Sequence, residues 1–244
     1  MREPVLGVFS LSASSPDGDD SRYLRWHQLD HLPQQFSIEG VLHGQRWVST
    51  PECRALRPVQ SDRFAPVNHV VHYLMGEPVE QTVNEFFALR DHLVEIGRFP
   101  ERLPNRLVAG VTVAGRHAAA SADVSADVLP FRPNLGAYLV IERDADPEST
   151  AAVAWPEDTV DALLALDGVA GAWTFAPSGL RPDEFSRSGY SVALCYLDED
   201  PVAVAPRVND VLKARWTDGS IAPAFAAPFV TVVPWTWDQH RAPG

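Results

Sequence analysis

The sequence predicts an α+β fold built from two tandem ferredoxin-like β-α-β-β-α-β repeats, and three observations carry that prediction. Short alternating apolar runs interchange with longer segments whose apolar residues recur at helical spacing. The order of these segments in the first half returns in the second. Small sequence landmarks also recur at matching places in the two halves. The chain has 244 residues, 45% of them hydrophobic and 21% charged, which fits a folded globular protein with a substantial core.

Val5 to Leu11 is short and β-rich and reads as the first strand. Ser12 to Asp20 (SASSPDGDD) is a turn-rich loop, with Asp and Ser residues suited to cap a following helix and a position suited to a lid over it. A helix follows from Ser21, and Pro33 is expected to end or kink it near His31 or Leu32, because proline lacks an N–H and disfavours α geometry in the residue before it. Gly40 to Thr50 reads as a strand with Val41, His43, Gln45 and Trp47 on one side. Val67 to Met75 is a strand with His69, Val71 and Tyr73 facing one way and Val70, His72 and Leu74 the other. Glu77-Pro78 opens a helix whose apolar side includes Val79, Val83, Phe86, Phe87, Leu89 and Leu93, and Leu107 to Val113 closes the unit as a strand.

Residues 117–134 drift to Ala, Ser, Asp and Pro, so they read as a linker between an N-terminal repeat, 1–116, and a C-terminal repeat, 135–244. The second repeat reads as strand Gly136 to Glu142, helix Thr159 to Leu166, strands Val169 to Phe175 and Ser191 to Leu197, helix Val202 to Trp216, and strand Phe229 to Val233. Glu39-Gly40-Val41 is echoed by Asp167-Gly168-Val169, Trp47 by Phe175, Tyr73-Leu74 by Tyr196-Leu197, and Glu77-Pro78-Val79 by Asp200-Pro201-Val202. An antiparallel sheet with helices on one face leaves the other face bare, and two such sheets can cover each other. One chain then holds both partners of a pseudo-dimer, alone or as a homodimer.

A formal net charge of -12 argues against nucleic acid or anionic membrane as a partner and leaves a small molecule as the expected one. The N-terminus carries no secretory pattern and no run reaches membrane-spanning length, so a cytoplasmic chain is expected. Cys53 and Cys195 are too few for a disulfide framework and read as free thiols.

Ser21 to Gly40 (SRYLRWHQLDHLPQQFSIEG) concentrates the chemistry. On a helix Tyr23, His27 and His31 share one stripe, with Trp26 and Asp30 on a second stripe beside it. Half-buried packing residues are the plain alternative for each histidine; two on one face favour a site.

Trp26-His27, Asp30-His31-Leu32-Pro33 and Gly40-Val41 followed by a strand resemble the EthD-like branch of the dimeric α/β-barrel superfamily. The resemblance implies a barrel-type pseudo-dimer with a pocket between sheet and helices for a mostly apolar organic molecule. It implies no single reaction, since relatives include cofactor-free monooxygenases, cyclases, isomerases, dehydratases and haem enzymes. The matching stretch of the second half, AWPEDTVDALLALDG, keeps Trp155 and Gly168 but has no histidine pair, which places the working pocket in the first half. Haem relatives commonly draw an axial histidine from the second half, where residues 135–244 offer only His240.

The leading expectation is therefore acid–base catalysis without a cofactor, of the isomerase, cyclase or dehydratase type, on an aromatic, polyketide-like or lactone-like substrate. His27 or His31 moves the proton, and Asp30 or Tyr23 orients it. Arg46 is placed to meet an enolate or carboxylate oxygen, with Trp26, Trp47, Tyr73, His43 and His69 as further substrate contacts. The alternatives are a cofactor-free monooxygenase and a non-catalytic ligand-binding protein. A metal held by His27 and His31, completed by His43, His69 or His72, is a weaker reading because no H-E-x-x-H pattern is present. Nucleophile-elbow, Walker and dinucleotide-binding patterns are absent as well.

Overall fold

A computed structural model describes residues 3–100, 103–178 and 189–233. The first half runs β1 (Leu6–Ala13), α1 (Ser21–Trp26), a π turn (His27–His31), α2 (Leu32–Gln35), β2 (Val41–Val48), α3 (Pro51–Ala55), β3 (Val59–Gln60), β4 (Val67–Met75), α4 (Val79–Glu95) and β5 (Asn105–Ala118). The second runs β6 (Gly136–Asp144), α5 (Glu157–Leu164), β7 (Val169–Pro177), β8 (Ser191–Leu197), α6 (Pro201–Arg215) and β9 (Ile221–Thr231).

The strands lie in the order β2-β4-β1-β5-β7-β8-β6-β9, and β9 pairs back onto β2, so the sheet closes into an antiparallel eight-stranded barrel with short β3 attached to β9. Closure removes the open edges that a four-stranded sheet would present. Within each half the strand order is that of a ferredoxin-like unit. The register matches in detail. The β2–β4 pairing slips between Val41 and His43, and the β7–β8 pairing slips between Val169 and Gly171. By this register Trp47 corresponds to Phe175 as expected, but Tyr73 corresponds to Cys195 rather than Tyr196, whose side chain belongs to the barrel interior. The Tyr-Leu echo is thus one residue out of phase, and on a strand one residue reverses the face.

Alternation sorts the side chains into layers. On β4, Val70 and Leu74 enter the barrel with Phe9, Trp47, Trp173 and Phe229 from both halves, while Val71, Tyr73 and Met75 face outward toward Leu32, Val83 and Phe86. The corresponding outer face of the second half is packed by Tyr138, Val140, Leu163, Val204 and Val208.

Three expectations about element bounds change for physical reasons. The key helix does not stop before Pro33. Its turns widen, the Leu32 N–H reaching back five residues to the His27 carbonyl, and Pro33 becomes the start of the next α turn. Proline supplies no donor and its ring crowds the carbonyl four residues back, so a π turn preserves continuity there. The stretch 117–134 is not a free linker: β5 reaches Ala118, two 3-10 turns follow, Leu129 enters the barrel core, and Trp173 Nε1 donates to the Ala126 carbonyl at 2.9 Å. Finally, β9 starts well before Phe229. Pro223 and Pro228 argue against a strand from the sequence, yet Pro228 sits between the residues paired to β3 (Phe225, Ala226) and those paired to β2 (Val230, Thr231), where no second neighbour asks for its N–H. Cys53 and Cys195 are buried and unbridged. Among the described residues no helix is long and apolar enough to cross a membrane.

Candidate active site

Between the outer face of the first-half sheet and the helices covering it lies a cavity of about 110 Å³. Val8, Val71, Phe86, Phe87, Phe99 and Leu103 form its apolar walls, and Tyr23, His27, His31, Gln35, Arg46 and Tyr73 bring their polar groups to it.

The helix delivers four of these groups because Tyr23, His27, His31 and Gln35 recur every four residues through the π turn. Strands β2 and β4 deliver the rest: Arg46 is paired with Val71, so both face outward, with Tyr73 two residues further along β4. Gly44 makes room for this arrangement. A Cβ there would lie 2.6 Å from Leu32 Cδ1 and 2.8 Å from Tyr73 Cδ1, so only glycine lets the Tyr73 ring lie against β2.

Tyr73 Oη and His27 Nε2 are 2.9 Å apart, and His27 Nδ1 is buried without a partner. His31 Nε2 meets Gln35 Nε2 at 3.0 Å, while its ring stacks on Trp26 with centroids 4.7 Å apart. The Arg46 guanidinium carbon stands 5.2 Å from the Tyr23 ring centroid, in cation–π range. Burial holds the His27 imidazole well below its ordinary pKa, helped by the charges of Arg46, His31 and His69. Burial and the Arg46 charge bring His31 down to about 4, against the opposing pull of Asp30. Burial raises the Tyr73 phenol, and Arg46 offsets only part of the rise. At neutral pH the cavity therefore holds uncharged imidazoles and the uncharged Tyr73 phenol beside the buried Arg46 guanidinium, with Arg90 at its edge.

Behind this layer, Asp20 and His69 form a buried pair, Nε2 to Oδ2, at 2.6 Å. Asp20 stands at the N-cap position of α1 but makes no side-chain cap; its carboxylate instead turns inward and also accepts the Ser15 N–H at 2.8 Å. Burial would raise the Asp20 pKa, but the hydrogen bond and charge of His69 and the Ser15 amide outweigh it and hold the carboxyl well below the usual range. Burial lowers the His69 pKa, opposed by Asp20.

The expected site residues thus divide. Tyr23, His27, His31, Arg46 and Tyr73 meet at one cavity. Trp26 backs His31 rather than lining the cavity. Asp30 points outward and pairs with Arg98 at 2.5 Å. Alternation along β2 forbids Trp47 and His43 from sharing the face of Arg46: Trp47 Nε1 donates to Asn134 Oδ1 at 3.1 Å, and the His43 ring meets Phe131 with centroids 5.3 Å apart. His72 also faces the barrel, stacked on Phe9 at 4.1 Å, and burial lowers its pKa to about 3. Gln35, Asp20 and Phe99 are the contributors that sequence reasoning passed over. Gln35 is the next member of the His27 stripe, hidden because Pro33 was expected to end the helix.

Among the described residues no three His, Cys, Asp or Glu side chains gather as metal ligands; His43 and His72 face away from His27, and His69 is held by Asp20. In the second half the register puts Thr174, Ser191 and Cys195 where Arg46, His69 and Tyr73 stand in the first. Its sheet–helix space is filled by apolar side chains together with the buried Arg215–Glu142 pair and carries no imidazole among the described residues; His240 lies outside the described residues.

Comparison with solved structures agrees with this architecture. A candidate chlorite dismutase superposes with a TM-score of 0.58 at 12% identity, covering 97% of this chain and 98% of its own. The chain has the dimeric α/β-barrel fold. A candidate monooxygenase from Fusobacterium nucleatum gives 0.53 at 12% identity, over 95% and 94% of the two chains. An anthrone oxidase-like protein gives 0.54 at 10% identity, over 95% and 92%. At such identities the likeness is one of fold. No family model and no curated protein matches the sequence.

Proposed function

We propose that this protein is a small-molecule enzyme that moves a proton on an aromatic, polyketide-like or lactone-like substrate, using the His27–Tyr73 pair in the first-half cavity. The observation that carries the reading is the 2.9 Å contact between the His27 imidazole and the Tyr73 phenol, both neutral, at the wall of a cavity that Val8, Val71, Phe86, Phe87, Phe99 and Leu103 close on its other sides. In the reaction so read, a C–H bond beside a carbonyl breaks, its proton passes to the His27–Tyr73 pair, and its electrons move onto the carbonyl oxygen as an enolate. The same pair returns the proton at another carbon or oxygen, which completes an isomerisation; in a cyclisation the enolate carbon first bonds to a second carbonyl carbon of the substrate, whose oxygen takes the electron pair and then the returned proton, again with no redox change. If the substrate carries a β-hydroxyl, the proton leaves with it as water, which is a dehydration. Desolvation of both groups strengthens their hydrogen bonds to the reacting atoms.

The assignment to the EthD-like branch, and the descent of the two halves from one copied unit, belong to the same proposal. They are supported by the Trp26-His27 and His31-Leu32-Pro33 residues and by the matching strand order and register slips. All eight strands of the closed barrel come from one chain. A second reading, attack of dioxygen on the same carbanion, draws on the neighbours named for monooxygenase and anthrone oxidase chemistry.

Exchange of the acidic C–H protons of anthrone and of aromatic β-ketones in D₂O, followed by proton NMR, tests the proposal. Wild type is expected to accelerate exchange, and His27→Gln and Tyr73→Phe to reduce the acceleration about 10²- to 10⁴-fold, the usual contribution of a positioned acid or base. Equal acceleration by wild type and both variants overturns the assignment. Oxygen uptake in the same samples favours the second reading.

A further inference from the structure

Arg46 is 3% exposed, lines the cavity, and has no carboxylate or other hydrogen-bond acceptor for its side chain among the described residues; its Nε is buried and unsatisfied. A buried charge without a partner is costly, and proteins avoid it unless something supplies the counter-charge. The same molecule shows the ordinary solution elsewhere. Arg215, with an equally buried side chain, is gripped by both oxygens of Glu142 and by the Ala154 carbonyl. The two carboxylates of the key helix region are already engaged, Asp20 with His69 and Asp30 with Arg98. Tyr23 offers Arg46 a ring face but no negative charge, and His27, His31 and Tyr73 around it are neutral at neutral pH.

We infer that the natural ligand of this cavity brings the missing charge itself: it is an aromatic or polyketide-like monocarboxylate whose carboxylate pairs with Arg46 while its ring body lies among Val71, Phe86, Phe87 and Phe99. One guanidinium presents a planar fork that matches one carboxylate with two parallel hydrogen bonds. Among the described residues no second cation lies deep in the cavity to serve a dianion; Arg90, the other arginine of the lining, is half-exposed and paired with Asp91. The register supports a role in the site rather than in the barrel, because the corresponding position of the second half, Thr174, carries no charge.

This inference rests on the proposed function only in placing the ligand in the same cavity, and its test needs no turnover. Calorimetry and thermal shift would compare benzoate, 1-naphthoate and 2-anthroate with their uncharged carboxamides. At least one carboxylate is expected to bind about ten- to a hundredfold more tightly than its amide, the span of a charged hydrogen-bonded contact. Arg46→Met is expected to abolish that preference and, without ligand, to melt no lower than wild type, since it removes an uncompensated buried charge. Equal affinity for acid and amide overturns the inference, as does a series in which no carboxylate raises the melting temperature at millimolar concentration. An Arg46→Met protein that melts clearly lower without ligand, or keeps the full acid preference, overturns it too. If proton exchange on neutral ketones persists while carboxylates fail to bind, the proton-transfer reading stands and the carboxylate ligand falls; carboxylate binding without exchange leaves the ligand standing and removes the proton transfer.

Discussion

Lowering the pH from 7 to 5 is expected to unfold this protein far more readily than its acidic composition suggests. Five imidazoles are buried with pKa values lowered by desolvation, His43 and His69 among them, and the large shifts are those of His27, His31 and His72, to about 4 for His31 and about 3 for His72. An unfolded histidine takes up a proton near pH 6.5, whereas these stay neutral in the native state well below it. The unfolded chain therefore binds more protons between these limits, and stability, fully present above about pH 6.5, drains away as the pH falls toward the native-state values. Three protons taken up on unfolding give a slope of about 4 kcal/mol per pH unit below about pH 6, against a total stability on the order of 5–15 kcal/mol. For a chain of this length that corresponds to roughly 8–16 °C in melting temperature per pH unit. The decline of net negative charge toward the pI near 5.0 works in the opposite direction. The decisive quantity is thus the difference between wild type and His72→Leu, which removes one titrating imidazole from the barrel interior without touching the cavity. Circular dichroism melts from pH 7.5 to 4.5 should show the slope of the variant reduced by about a fifth to a third, one imidazole out of three to five. Equal slopes for the two proteins would refute the reasoning.

Asp20→Ala takes the carboxylate from a buried pair and strands His69, and is expected to destabilise by about 3–5 kcal/mol in denaturant titrations at pH 7. Because the native pKa of Asp20 is depressed, its contribution is intact above about pH 4 and disappears only in stronger acid, so the gap between wild type and variant should close there. Tyr73→Phe leaves His27 Nε2 buried without its partner, and urea titration should find a loss of about 1–3 kcal/mol. Gly44→Ala drives a methyl group against Leu32 and the Tyr73 ring, so a loss of about 1–3 kcal/mol should accompany reduced proton-exchange activity, while the same substitution at exposed Gly219 leaves activity unchanged.

Strand identity was legible wherever apolar alternation was undisturbed: Val67–Met75 and Ser191–Leu197 carry the bounds read from the sequence. It faded where a local rule is overridden by position. Proline in β9 is tolerated only because the neighbouring strand changes from β3 to β2 at that point, which no local window reveals. The helical stripe exposed Tyr23, His27 and His31, and Arg46 and Tyr73 joined them because the faces of β2 and β4 follow from counting. Counting also separates Trp47 and His43 from Arg46, so their grouping with it was a lapse of phase rather than of information. Gln35 and the inward turn of Asp20 were harder to see. The first depends on a π turn that carries the helix past Pro33, and the second on a cap-type residue preferring a histidine 49 positions away to its own helix. The cavity volume and the absence of a partner for Arg46 among the described residues depend on three-dimensional packing and leave no trace in spacing.

Nitrogen-15 NMR of the His27 ring tests the central claim most directly, since everything proposed for the cavity depends on an uncharged imidazole held against the Tyr73 hydroxyl. The ring should keep one neutral tautomer down to pH 5, and Tyr73→Phe should alter its Nε2 signal. A ring that titrates near pH 6.5, or one indifferent to the loss of the Tyr73 hydroxyl, would contradict it.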